Sequence, residues 1–256
     1  MLRLSAAVAL LLLPAIAIAS DDTALPADQA AMKAHVMFLA SDAMHGREAG
    51  SAEYDIAAQY VASRFFAAGL KPGGDDGNYL QQVPLVSYKA AGEGDFIWSD
   101  AAGAPHPLVF GEDFVPAANP AAAVTSVSAP VVFVGYGIVA PSYGQDDYKG
   151  VDVRGKIVAF VGGAPKRFGG EERAYFGSAS TKAAMAADKG AVGVIAIDTP
   201  GVRGPGFARM AQAYDNARMT WATPEGTGRV TGVPLLGTIS QAGAAKMFAA
   251  ARTPWS

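Results

Sequence analysis

The chain has no cysteine, only three histidines among its 256 residues, and no excess of positive charge. Each absence removes a class of function. Without cysteine there is no disulfide, no thiolate metal site and no lipid attachment at an export signal. His35, His45 and His106 are the only imidazoles, and none sits in a His-x-Asp or His-Glu-x-x-His pattern. A histidine-based metal centre therefore lacks donors at any recognised spacing. A formal net charge of −3 and a pI near 5.6 leave no cationic surface able to neutralise several phosphates at once. Nucleic acid is thus not an expected partner, and nothing marks the chain as a membrane-surface protein. Gly-x-Ser-x-Gly and Ser-x-x-Lys are also missing, which removes the usual serine-hydrolase signatures.

Hydrophobic residues make up 51% of the chain, enough for one large core or two modest ones. Arg3, an apolar run over Leu4–Ile18 and the small-residue pattern Ala17-Ile18-Ala19 read as an export signal, Met1–Ala19. The run carries Pro14 and is shorter than the roughly 18 residues a spanning helix needs, so an anchor is disfavoured. The mature protein is expected to be periplasmic or secreted, with no membrane association after cleavage.

The organising stretch is Pro130–Asp198. Val131–Val134, Ile157–Val161 and Val192–Ile197 are short runs rich in Val and Ile, as buried strands are, and the Ala-rich Thr181–Lys189 before Gly190 reads as a glycine-stopped helix. Strand, loop, strand, helix, strand is the expected order. Two segments, Asp147–Val158 and Ala187–Ile195, closely resemble the protease-associated domain, a non-catalytic insert of several peptidase families.

Upstream, Asp28 is placed to cap a helix carrying Met32, Val36 and Leu39 on one face and ending near Ala40. Ser51 caps a second helix whose face of Ala57, Tyr60, Val61, Phe65 and Ala68 must be buried against something, and Gly69 with Pro72 stop it. Glu93–Val115 reads as edge strands over Phe96–Trp98, Leu108–Phe110 and Phe114-Val115. Downstream, Val233–Ile239 reads as a returning strand, and Ser240 caps a helix over Gln241–Ala251.

The stretches His35–Asp42, Gly46-Arg47, Gly50-Ser51, Ala68–Pro72 and Tyr79–Leu85 are similar to the start of secreted di-zinc aminopeptidases of the aminopeptidase Y and glutamate carboxypeptidase type. Many of those carry a protease-associated insert. The resemblance implies an α/β fold, with a β-rich protease-associated domain inserted after the N-terminal helices of an incomplete zinc-exopeptidase α/β domain. It divides the chain into the signal 1–19, an N-terminal peptidase segment 20–117, the insert 118–240, and the start of the return to the peptidase domain, 241–256. It implies removal of N-terminal residues from peptides by water activated on two zinc ions. In that family the ligands follow the insert, so no catalytic or metal-binding residue is expected in this chain. No zinc is expected on it, and it is expected to be inactive alone. The alternative is a stand-alone protease-associated module that binds peptides or proteins without catalysis.

Arg47 is the one candidate site residue. In a complete enzyme it would face the active-site rim, or else make an internal ion pair. His35 is expected to pack or hydrogen-bond beside its helix, and His106, between two prolines, to meet solvent. Gly135–Ala140 matches a loose dinucleotide fingerprint, but Pro141, Tyr143 and Gly144 stand where a helix would have to begin. Asp75–Asn78 reads as a turn rather than a calcium loop.

Overall fold

The computed structural model describes residues 25–199, 201, 206–249, 251 and 255; the expected signal Met1–Ala19 lies outside them. Packing divides the chain into two units, Met1–Gln82 and Val83–Ser256.

The first unit holds α1 (Ala27–Leu39) and α2 (Ala52–Ala67). Pro26, not Asp28, stands at the N-cap of α1, and Asp28 lies in the first turn without a capping bond. Proline supplies the extended entry, and its carbonyl accepts the Ala30 amide at 2.8 Å. Ser51 caps α2 as its spacing implies, its hydroxyl accepting the Tyr54 amide at 3.2 Å, and Gly69 takes φ +73 where the helix ends. The helices meet around Tyr60. Its hydroxyl bonds His35 Nδ1 at 2.8 Å, its ring stacks on Phe38 at 4.4 Å, and the Arg64 guanidinium lies over it at 4.7 Å. Neither helix has a buried residue.

The second unit runs β1 (Leu85–Tyr88), β2 (Ile97–Ser99), β3 (Pro105–Pro107), β4 (Phe114–Pro116), β5 (Val131–Phe133), β6 (Val139–Ala140), β7 (Gln145–Asp146), β8 (Ile157–Val161), α3 (Gly170–Gly177), α4 (Ala179–Asp188), β9 (Gly193–Ile197), α5 (Phe207–Gln212), β10 (Arg218–Trp221), β11 (Leu235–Ile239) and α6 (Gln241–Met247). A five-stranded sheet has the order β4-β11-β9-β8-β5, with β5, β8, β9 and β11 parallel and β4 antiparallel at one edge. Two-residue alternation sends Val158, Phe160 and Val194 to one face, where they pack with Ala183 and Ala186 of α4. Ile157, Ala159, Ile195 and Ile197 go to the other, with Ala244 of α6 and Phe114. Both faces are covered, which is why β8 and β9 read as unbroken apolar runs. The architecture is mixed α/β.

Several boundaries differ from the sequence reading: β5, β9 and β11 are each shorter by one or two residues than the runs expected for them. The helix expected over Thr181–Lys189 starts two residues earlier, at Ala179, and Gly190 stops it at φ +86. The strand expected over Phe96–Trp98 is found one residue on, as β2, and its hairpin partner is β3 rather than Leu108–Phe110. Asp100 shapes that turn by accepting the Ala102 and Ala104 amides at 2.9 and 3.0 Å, while Leu108 is a core residue outside any strand. The C-terminal helix stops at Met247 rather than Ala251. The second unit begins at Val83, since β4 pairs with β11, and α6 covers the same sheet.

Candidate functional site

Arg47 sits in a tightly turned loop before α2. His45, Gly46 and Arg47 have φ of +43, +92 and +57, a run of left-handed residues that stores backbone strain at the two non-glycine positions. The Arg47 amide bonds the Met44 carbonyl at 3.1 Å, and Met44 is the buried residue that anchors the loop. Arg47 is half-buried and makes no ion pair with a described residue. His45 Nδ1 lies 3.3 Å from Glu53 Oε1. The amide of Glu53 itself, in the first turn of α2, then His45 and Ser51, hold the Glu53 carboxyl below the usual range.

The three histidines are far apart in role. His35 bonds Tyr60, His45 pairs with Glu53, and His106 Nε2 meets Asp100 Oδ2 at 3.0 Å while its ring stacks on Trp98 at 4.5 Å. That hydrogen bond, followed by the Ala104 and Ala102 amides, holds Asp100 below the usual carboxylate range. Among the described residues no three His, Asp or Glu side chains converge as a metal ion would require. The donor set present does not fit a zinc pair.

The least ordinary environment in the second unit surrounds Lys182, which sequence reasoning left as part of an alanine-rich helix. α4 carries it inward, where it is fully buried. Its Nζ donates to the Val161 carbonyl at 2.8 Å and the Gly163 carbonyl at 2.6 Å, and lies 4.9 and 5.7 Å from the ring centres of Phe160 and Tyr136. Burial pulls its pKa down to about 8, opposed by the negative charge of Asp147. Asp147 accepts the Ile138 amide at 2.9 Å and the Gln145 side-chain amide. Beside it the Tyr148 hydroxyl is buried without a partner among the described residues, and burial and then Asp147 push its pKa up to about 12. The only trace in the sequence is a lone lysine on the inward face of a helix otherwise lined by Ala183 and Ala186.

Below β5, Gly135–Ala140 leads into β6 and the single turn Pro141–Tyr143, with no long helix behind it. The parallel strands cross the sheet in chain order, β5, β8, β9, β11. Their order never reverses, so the crevice in which open α/β sheets hold nucleotides is not formed here. Among the described residues no helix is long and apolar enough to cross a membrane.

No protein-family model matches the chain, and no curated protein matches it. Among solved structures it is similar to an aminopeptidase from Aneurinibacillus sp. strain AM-1, at 16% identity and a TM-score of 0.32, over 82% of this chain and 37% of that one. The chain thus spans little more than a third of that structure's length, and a TM-score this low does not establish a shared fold.

Proposed function

We propose that the chain is the N-terminal part of an exported zinc metallo-aminopeptidase, with the zinc-binding part outside these residues. The observation that carries this reading is the first unit. The aminopeptidase-like stretches run from the end of α1 through the loops before and after α2, and Met32, Val36, Phe65, Phe66 and Leu70, on or beside these helices, are all exposed, with no buried residue in either helix. Such faces imply a partner sheet. Arg47, strained and without an ion pair among the described residues, is the proposed rim residue. Residues 118–240 form the protease-associated domain, extended in packing by β1–β4 and α6. The pattern over Met1–Ala19 supports export to the periplasm or beyond, and peptides or proteins are the proposed partners. The two zinc ions would supply an activated water, held by residues this chain does not contain.

The second reading is a peptide-binding protease-associated module, and it is favoured by the second unit, whose sheet is covered on both faces without help. One experiment separates them. The full natural reading frame and the 256-residue chain are each assayed for release of N-terminal amino acids from peptides, with and without a chelator. Chelator-sensitive release by the full frame alone supports the enzyme reading. No release by either, with peptide bound to the 256-residue chain, supports the module.

A further inference from the structure

Between β8 and α3 the chain runs Gly162-Gly163-Ala164-Pro165-Lys166-Arg167-Phe168-Gly169-Gly170, a five-residue segment bracketed by two glycine pairs. Gly163 takes φ +71, a conformation that glycine adopts freely. Gly162 is held, its amide accepted by Thr199 Oγ1 at 3.0 Å. Beyond it, among the described residues, the only backbone group of Gly163–Arg167 bonded to the rest of the unit is the Gly163 carbonyl, and its donor is Lys182. The remaining attachments are made by side chains: Ala164, Pro165 and Phe168 are buried, Ala164 and Phe168 in a small apolar cluster with Ile138 and Ala140, Phe168 also packs on Tyr143 and Phe176, and the Arg167 guanidinium reaches Gln145 and the Tyr143 carbonyl.

We propose that Ala164–Phe168 is a glycine-hinged flap, latched from beneath by the Lys182 ammonium, which lifts as a unit ahead of the sheet it covers. Local opening follows the least-bonded segments, and this one has a single backbone tie. The charge on the latch sets how readily it lifts. A charged amine sealed from water gains hydration when the flap opens, whereas a neutral amine gains little and still donates two hydrogen bonds when it closes. Facing the amine are the Asp147 carboxylate after β7, the Tyr136 ring after β5, and Phe160 with the Val161 carbonyl on β8. Tyr148 keeps its proton up to about 12, and on α3 Glu172 is engaged with Tyr143. Of the groups named here, Lys182 is the one that loses its charge in the closed flap as the pH rises through about 8. Opening bares this amine and the Tyr136 ring.

Trypsin reads the flap directly, because Lys166 and Arg167 are exposed at its tip. The full chain is nicked under native conditions at pH 7.5 and pH 9.5, with rates normalised to an unstructured peptide and sites assigned by mass spectrometry. The first cut in the second unit's sheet-and-helix core falls after Lys166 or Arg167, before Lys156 or Lys189. Its normalised rate drops about twenty-fold at the higher pH, as a shift from 10.5 to about 8 requires. Lys182→Met abolishes that pH dependence. Should this variant not fold, competitive acetylation of the wild type replaces it, and Lys182 then reacts far more slowly than exposed Lys89. A first cut at Lys156 or Lys189, equal rates at the two pH values, an undiminished drop in Lys182→Met, or acetylation of Lys182 at the rate of Lys89 would each overturn the flap.

Discussion

Replacing Lys246 by methionine tests how the two ends of the second unit are tied together. Asp113, just before β4, is 1% exposed, and its Oδ2 accepts from Lys246 Nζ at 2.6 Å and from the Val109 amide at 3.0 Å. Its backbone carbonyl takes the Ser240 amide at 2.8 Å, so one residue joins the loop before β4 to the start of α6. Lys246→Met keeps the aliphatic stem but leaves a buried carboxylate with a single donor. An uncompensated buried charge costs about 3–5 kcal/mol. The lysine side chain is itself 52% exposed, so water already screens part of the attraction, and about 2–3 kcal/mol is expected. Adding Asp113→Asn removes the charge while an amide oxygen still faces Val109, so the double variant should recover about half of the loss. Trp98, Trp221 and Trp255 all lie in Val83–Ser256, so tryptophan fluorescence follows this unit alone. With a urea slope of about 2 kcal/mol/M, the midpoint falls by about 1–1.5 M in the single variant. A single variant within about 0.5 kcal/mol of wild type would refute the reasoning, since surface substitutions span that range. So would a double variant less stable than Lys246→Met.

Tyr148→Phe removes a buried hydroxyl that has no partner among the described residues, so it should be neutral or stabilise by about 1 kcal/mol; a loss above that would reveal a bridging water. Because the folded pKa of Tyr148 is raised to about 12 from 10, the wild type loses stability from this group as pH rises from 10 through 12, and Tyr148→Phe should flatten that alkaline loss in urea titrations. Gly243→Ala should destabilise despite lying in α6, where alanine normally gains about 1 kcal/mol over glycine. Its Cβ would stand 2.4 Å from the Asp113 carbonyl and 2.8 Å from Ile239, so a rise in thermal midpoint would contradict the packing of α6 on the sheet. The mature chain should bind a hydrophobic dye and exchange amides faster over Ala27–Leu70 than over Val131–Ile197, since neither α1 nor α2 buries a residue. Equal protection with no dye bound to a monomer would count against the truncated-enzyme reading.

Where neighbouring residues settle an element, the sequence was readable. β8 occupies Ile157–Val161, the run of β-branched and apolar residues between Lys156 and Gly162, and Gly190 ends α4 through its left-handed φ. Ser51 and Ser240 cap their helices because a hydroxyl there reaches an amide three residues on. What stayed hidden depends on contacts distant in the chain. No local pattern says that Asp113 will meet Lys246, that β4 will join β11, or that the amine of Lys182 will turn inward to two carbonyls of the β8 loop. Those facts follow from the topology of the sheet. Arg47 was legible as a loop residue before a capped helix, but its left-handed φ was not, because arginine gives no sign of it as glycine does.

The two units carry their information differently. Val83–Ser256 has local signals and a covered sheet that agree with one another, the consistency expected of a segment that folds on its own. In Met1–Gln82 the local signals are equally clear, yet α1 and α2, of 13 and 16 residues, bury nothing. Helices of that length are marginal in water without tertiary packing. Caps and glycine stops encode where a helix begins and ends whether or not its partner is present, whereas an apolar face makes sense only with that partner. The stability of α1 and α2 therefore depends on what their apolar faces meet. The module reading needs only the second unit and leaves the apolar face of α2 without a reason, while the enzyme reading accounts for it at the cost of requiring residues outside this chain.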